Sequence, residues 1–152
     1  IRNCLVGSEM CIRDSNSRMH IPIFGNGDVN TPERAIKMRD DYGLDGAMIG
    51  RASIGNPWFF NQVKHFMETG AHLSSPTLEE RVKVARRHLE MAVAWKGEVL
   101  GVLETRRHYT NYFKGYENFK PYRTRMVTSN RSREVHDVLD EVLEKFAAQE
   151  VS

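Results

Sequence analysis

The sequence is poor in cysteine and has no long apolar run. Its two cysteines, Cys4 and Cys11, are too few for a disulfide framework, which favours a cytoplasmic protein. No apolar run approaches the roughly 18–20 residues that a membrane span needs, and no signal peptide is recognisable at the start. We therefore expect a cytoplasmic protein with no membrane segment.

The chain is also too short for one common enzyme architecture. Its 152 residues, 40% of them hydrophobic and 28% charged, are enough to bury one ordinary core. A complete barrel of alternating strands and helices needs roughly 200–250 residues. The length excludes a whole barrel enzyme but not a part of one.

The near-neutral net charge conceals one strongly basic stretch. The chain has 22 basic and 20 acidic residues, a formal charge of +2. Residues 105–133 contain eight of the cations and a single acid, a net of +7, whereas residues 134–152 contain one cation and six acids, a net of −5. A polarised basic stretch of this kind suits a polyanionic partner.

Residues 20–67 alternate between strand and helix patterns. Short apolar runs at 20–24 and 46–49 each end in a glycine-containing loop, as buried parallel strands do. Residues 30–43 and 58–67 have the pattern of helices, and the first of these opens with a capping side chain followed by proline. The order strand, helix, strand, helix predicts two adjacent βα units.

From residue 77 onward the apolar spacing is purely helical. Thr77 and Glu80 form a capping box at the start of a helix that runs to about residue 96. Further helices are predicted over 99–114, over 121–127 and from a cap at Ser132 onward, which indicates a small bundle. We place the boundary at 70–76, between a segment 16–70 and a helical domain 71–152.

Two glycine loops follow the predicted strands, at Gly25–Asp28 and at Gly50–Arg51. Glycine lets backbone N–H groups approach an anion closely, and an arginine can bond a phosphate through two N–H groups at once. In barrels, the loops after the last two strands frequently form a phosphate site. Ordinary turns with a surface arginine are the alternative.

Three ordered motifs resemble a known family. They are Ile21–Asp28, then Asp45–Arg51 with Gly55–Phe60, and finally Glu104–Tyr109 with Tyr112–Gly115. Together they are similar to the C-terminal part of a tRNA-dihydrouridine synthase of the bacterial B-type branch. The resemblance implies an α/β plus all-α fold, in which the last two βα units of a TIM (β/α)8 barrel are followed by a small C-terminal helical bundle.

The resemblance also implies a chemistry. Members of the family use FMN and NADPH to reduce uridine to 5,6-dihydrouridine in tRNA. Their FMN-binding motifs match Asn26, Gly27, Asp28, Gly50 and Arg51, of which the last two would hold the FMN phosphate. The family's catalytic cysteine belongs to a part of the barrel upstream of the motifs present, so no catalytic residue is assigned and the chain alone is expected to be inactive.

The basic stretch is interleaved with aromatic residues. Cations neutralise phosphates and aromatic rings stack on bases, so the combination suits RNA. Alternatively the aromatics form the bundle core, where we expect Phe113 and Tyr109, and the cations form its solvated face. Because the family's helical domain binds tRNA, the predicted RNA-binding residues are Arg106, Arg107, His108, Tyr112, Lys114 and Arg123.

Three further expectations complete the interpretation. Residues 1–15 do not resemble the family and are expected to be a non-native segment. The six histidines include no pair at metal-ligand spacing, so no metal site is predicted, and no oligomeric state is predicted either. The alternative functions are a non-catalytic helical RNA-binding module and a fragment of another FMN-dependent TIM-barrel oxidoreductase.

Overall fold

The computed structural model describes residues 22–147, so segment 1–15 lies outside the described residues. The chain forms two units. One, the α/β unit, comprises residues 22–53 together with Pro57–Leu73, and the other, the helical unit, comprises Ile54–Asn56 together with residues 74–147. The chain therefore enters the helical unit briefly at 54–56, well before the helices of that unit begin.

Two short parallel strands organise the α/β unit. Strand β1 (Phe24–Asn26) pairs with β2 (Gly46–Met48), and helix α1 (Pro32–Tyr42) connects them. A 3₁₀ turn at Arg51–Ser53 then leads towards helix α2 (Phe59–Thr69). The strand–helix order agrees with the sequence pattern. Among the described residues the first strand begins at Phe24, where its pairing with β2 begins, and residues 20 and 21 of the predicted strand lie outside the described residues.

Local signals set the ends of α1 as the sequence predicts. The Thr31 hydroxyl accepts a hydrogen bond from the Arg34 backbone N–H at 3.2 Å, and Pro32 occupies the first turn. Gly43 ends the helix in the left-handed conformation with φ 60°. The core of this unit comprises Val29, Ala35, Met38, Leu44, Phe59 and Val63.

Four helices form the second unit. They are α3 (Leu78–Lys96), α4 (Glu98–Tyr112), α5 (Lys120–Thr128) and α6 (Ser132–Phe146). Only Gly97 separates α3 from α4, and a Cβ on Gly101 would lie 2.6 Å from the Val93 backbone, so the two helices pack closely as a hairpin. Among residues 22–147, no helix combines the length and apolar character needed to cross a membrane.

The start of α3 has the predicted capping box. The Thr77 hydroxyl accepts from the Glu80 N–H at 3.3 Å, and the Glu80 carboxylate accepts from the Thr77 N–H at 3.0 Å. The predicted cap at Ser132 is wrong, because Ser132 is the first helical residue of α6. Its N–H and hydroxyl donate to the Glu98 carboxylate at 2.6 and 2.9 Å. A side chain of α4 thus accepts a hydrogen bond from the first backbone N–H of α6, which has no partner within its own helix.

Large apolar side chains fill the centre of the helical unit. Tyr109 and Phe113 are 1% and 2% exposed, which confirms the expectation that they are core residues. Thr105 is buried with them; its hydroxyl donates to carbonyls of its own helix and accepts from the Tyr109 hydroxyl at 3.2 Å. The buried positions of α6 are Val135, Val138, Leu139, Val142 and Phe146, the spacing expected for a core-facing stripe.

Replacing a core leucine should destabilise the helical unit strongly. Leu139 is fully buried, so Leu139→Ala should lower the free energy of unfolding by about 2–5 kcal/mol. Leu100 is 56% exposed, and Leu100→Ala should change the free energy of unfolding by no more than about 0.5 kcal/mol. Urea unfolding followed by far-UV circular dichroism measures both. Equal effects of the two changes would contradict the assignment of the core.

Candidate functional site

The carboxyl ends of β1 and β2 border a pocket of about 790 Å³. It is lined by Asn26, Gly27, Asp28, Val29, Asn30, Gly50, Arg51 and Ala52, and we call it the strand-end pocket. All five residues predicted to bind a cofactor are in this lining. Its volume lies within the range of about 300–1,000 Å³ that is usual for small-ligand sites.

The parallel register brings the two loops together. Asn26 lies opposite Met48, so the chain leaves both strands at the same edge of the sheet. After β2, the Gly50 carbonyl accepts hydrogen bonds from the N–H and the hydroxyl of Ser53, at 3.1 and 2.8 Å. These bonds close the 3₁₀ turn that carries Arg51.

The two glycines of the pocket have different surroundings. A Cβ at Gly27 would lie 2.4 Å from the Met38 side chain, so α1 packs directly against this loop. At Gly50, by contrast, no atom lies within 4 Å of the Cβ position. The Gly50 backbone is therefore open to close approach by a ligand.

Arg51 is the cation of the pocket. Its guanidinium bonds the Asp28 carboxylate, and the two side chains are 84% and 74% exposed. An exposed ion pair of this kind contributes little to stability. Because a guanidinium has five N–H donors, Arg51 can keep its bond to the Asp28 carboxylate and still donate to an anion. An arginine beside open glycine backbone fits a phosphate group.

Among the described residues, no cluster of acidic, histidine or cysteine side chains suits a metal ion.

The predicted RNA-binding residues do not form one row. The helix predicted over 99–114 would have aligned Arg106, Arg107 and Lys114 along one side, but α4 ends at Tyr112 and Lys114 lies beyond it, so this alignment is wrong. Arg106 donates to the Ser129 carbonyl at 2.7 Å and to the Asn130 side chain at 3.0 Å, contacts that join α4 to the loop before α6. Arg107 and Lys114 are exposed, and Arg123 is half-buried.

Tyr112 is a core residue in this structure, a correction to the expectation that it contacts RNA. It is 3% exposed, and its hydroxyl lies 3.1 Å from Nδ1 of His88 on α3. Burial raises the pKa of Tyr112 to about 12. The last turn of α4 packs against α3, which leaves this ring no free face for stacking on a base.

His108 makes a contact that the sequence does not reveal. Its Nδ1 accepts a hydrogen bond from the Gly55 backbone N–H at 3.0 Å, and its ring lies edge-on to His88 with centroids 4.5 Å apart. Burial, with the charges of His88 and Arg107, lowers the pKa of His108 to about 4. Asn111 completes the contact by donating to the Ile54 carbonyl at 2.7 Å. The Gly55 motif is visible in the sequence, but no periodicity relates it to His108, 53 positions away.

The profile of the dihydrouridine synthase (Dus) family matches residues 10–149 of the chain. The chain belongs to this family. The matched range begins at residue 10, inside segment 1–15, and the non-native origin of that segment stays a prediction. The family has a TIM-barrel fold, and the parallel β1–β2 pair with α1 and α2 is consistent with part of one.

Curated relatives agree with this assignment. The tRNA-dihydrouridine synthase B of Pseudomonas putida is 39% identical over 105 residues, which are 69% of this chain and 31% of that protein. The tRNA-dihydrouridine synthase B of Pseudomonas aeruginosa is 36% identical over 103 residues, 68% of this chain and 31% of that protein. A probable tRNA-dihydrouridine synthase 1 of a Synechocystis species is 32% identical over 123 residues, 81% of this chain and 34% of that protein. This member of the family therefore spans about a third of the length of the relatives it matches.

The stability of the chain should depend on the protonation of His108. The folded pKa of about 4 lies below the ordinary 6.5, so the unfolded chain binds more protons between these values. This contribution to the free energy of unfolding is complete above pH 6.5 and is lost progressively as the pH falls towards 4. His108→Asn keeps a hydrogen-bond acceptor and removes the titration.

The difference in unfolding free energy between the unaltered chain and His108→Asn measures this effect, since the carboxylates common to both cancel. Urea unfolding at several pH values from 6.5 to 4.5 should show the unaltered chain losing stability relative to the variant. A difference that does not change with pH would contradict the neutral state of the half-buried His108.

Proposed function

We propose that the chain provides the last two βα units and the helical domain of an FMN-dependent tRNA-dihydrouridine synthase, which reduces uridine in tRNA to 5,6-dihydrouridine with NADPH as reductant. Membership of the family and the names of the relatives support the reaction class. The observation that carries the proposal is the strand-end pocket, where five residues matching the family's cofactor motifs line one cavity. No catalytic residue is assigned within the chain, and we propose that it is inactive alone.

The strand-end pocket suits the phosphate of FMN. Gly50 offers open backbone and Arg51 a guanidinium, while Asn26 and Gly27 lie in the neighbouring loop. The role proposed for Asp28 is to hold Arg51 at the mouth of the pocket through their ion pair. When bound, FMN would supply the hydride chemistry of the reaction, and the residues of this chain would bind and orient it.

The helical unit is the proposed contact for tRNA. Arg107 and Lys114 are exposed on this unit and Arg123 is half-buried, and this exposure supports a contact of their charges with phosphates. The role of Arg106 is to join α4 to the loop before α6, because its guanidinium is bonded there. Arg125 is held by Glu141 through two bonds of 2.5 and 2.6 Å, so the basic stretch presents fewer available cations than its composition suggests.

Removing the guanidinium of Arg51 should weaken FMN binding. A charge-assisted hydrogen bond contributes about 1.5–3 kcal/mol, so Arg51→Gln should raise the Kd for FMN roughly tenfold to hundredfold. Lys64→Gln removes the same charge from an exposed position on α2, outside the pocket lining, and should leave the Kd unchanged. Quenching of flavin fluorescence on titration of the 152-residue chain measures both values. Equal affinities for Arg51→Gln and the unaltered chain would refute a phosphate at this pocket.

Reversing exposed cations of the helical unit should weaken tRNA binding. The double variant Arg107→Glu with Lys114→Glu should lower the affinity and flatten the salt dependence, by about 0.7–0.9 in the logarithmic slope for each phosphate that is no longer neutralised. The matched control, Lys64→Glu with Lys83→Glu, makes the same change of net charge at exposed positions outside the basic stretch. Filter binding of tRNA at several salt concentrations provides the slopes. Identical slopes for the two double variants would show that the effect comes from net charge alone.

A further inference from the structure

A second cavity, of about 420 Å³, lies within the helical unit, where residues before and in the first turn of α3 meet residues just after α4. Its lining includes Ser75, Thr77, Arg81, Lys114, Gly115 and Tyr116, and we call it the helix-end pocket. The described residues that line it include two cations, Arg81 and Lys114, and no acidic side chain.

Arg81 is held at this pocket by backbone carbonyls. Its Nε donates to the Pro76 carbonyl at 3.0 Å and its Nη1 to the Tyr112 carbonyl at 2.9 Å, which uses two of the five N–H groups of the guanidinium. Within residues 22–147 no acid forms an ion pair with Arg81, whereas Arg86 on the same helix pairs with Asp140 at 2.7 Å. Because Arg81 is half-buried, its uncompensated charge favours an anionic ligand.

Residues 114 and 115 add a second cation and open backbone. Lys114 is exposed, and among the described residues it too pairs with no acid. Gly115 has φ +103°, and no atom lies within 4 Å of the position that its Cβ would take. A ligand can therefore approach this backbone closely. A planar guanidinium, an ammonium group and open glycine backbone together fit a phosphate.

The attraction for an anion comes from these two cations and not from the start of α3. The capping box already bonds the Glu80 N–H to the Thr77 hydroxyl and the Thr77 N–H to the Glu80 carboxylate. The Thr77 hydroxyl accepts in this arrangement, so its own proton can still be donated to an oxygen of a ligand. The Ser75 hydroxyl is a further donor in the lining.

The remaining wall suits the sugar or base that is joined to a phosphate. The Tyr116 ring is half-buried and lies edge-on to Phe146 with centroids 6.0 Å apart, so the core of the unit supports it. Aromatic rings in such positions contact the bases of unpaired nucleotides. Lys114 also belongs to the stretch 105–133, whose net charge is +7. A polyanionic chain is therefore favoured over a single small anion.

We propose that the helix-end pocket binds a backbone phosphate of single-stranded RNA through Arg81 and Lys114, with the adjoining nucleotide against Tyr116. This inference deepens the proposed tRNA contact, and the identification of the RNA as tRNA rests on the proposed function. It assigns an RNA contact to Arg81, which lies outside the basic stretch.

Three ligands test the proposal on the 152-residue chain, with the backbone amide resonances of Ser75, Thr77 and Gly115 as the readout. They are a short oligouridylate, the nucleoside uridine, which has no phosphate, and inorganic phosphate, which has no nucleoside. The oligouridylate should shift all three amides to saturation, and uridine should not shift them. Inorganic phosphate should bind at least about tenfold more weakly than the oligouridylate, because it lacks the contact with the ring.

Substitution of either cation should weaken the binding of oligouridylate. Arg81→Gln should raise the Kd roughly tenfold or more and Lys114→Gln roughly threefold to tenfold, since the guanidinium is half-buried and the ammonium exposed. The controls Arg87→Gln and Lys83→Gln make the same changes at exposed positions of α3 outside the lining, and should stay within about twofold of the unaltered chain. Filter binding of tRNA should weaken in the same order.

The inference is overturned if the oligouridylate leaves the three amides unshifted, or if Lys114→Gln and Lys83→Gln change the Kd equally. Inorganic phosphate that binds as tightly as the oligouridylate would also overturn it, because the pocket would then be a site for a free anion.

Two further outcomes separate this inference from the proposed function. If the oligouridylate binds as expected but tRNA does not bind the chain, the pocket stands and the proposed tRNA contact fails. If tRNA binds but the oligouridylate does not shift the three amides, the tRNA contact stands and this inference fails. Should Arg81→Gln not fold, Lys114→Gln decides the question, since its side chain is exposed.

Discussion

The parallel pairing of β1 with β2 is the interaction on which the candidate site depends. Three residues of β1 pair with three residues of β2. Although this ladder is short, its parallel register makes the chain leave both strands at the same edge of the sheet. The loop after β1 contributes Asn26, Gly27 and Asp28, and the loop after β2 contributes Gly50 and Arg51. An antiparallel pair would place these loops at opposite edges, and no pocket lined by both could form.

Sequence patterns predicted most of the secondary structure because its determinants are local. The N-cap at Thr31, the capping box at Thr77 and the left-handed Gly43 depend on side chains within four residues of the helix ends. The core stripe of α6 follows from helical periodicity in the same way. The glycine loops were likewise identifiable, since the carboxyl ends of parallel strands are known binding positions.

The contacts that sequence patterns did not predict are all long-range. Ser132 was expected to cap α6 because it has the right chemistry, but the Glu98 carboxylate, 34 residues away, takes both of its donors. Tyr112 was expected on the surface because it lies among cations, but packing against α3 buries it. His108 bonds a backbone N–H 53 positions away. Composition cannot distinguish a buried aromatic from an exposed one when both faces of a helix contain large side chains.

The central claim is that the strand-end pocket recognises the phosphate of a flavin. Equilibrium titration of the unaltered chain with FMN and, in parallel, with riboflavin tests it directly, because the two ligands differ only in the phosphate group. The account predicts that FMN binds at least about tenfold more tightly than riboflavin, the factor expected for a charge-assisted contact to Arg51. Equal affinities for the two flavins would contradict it.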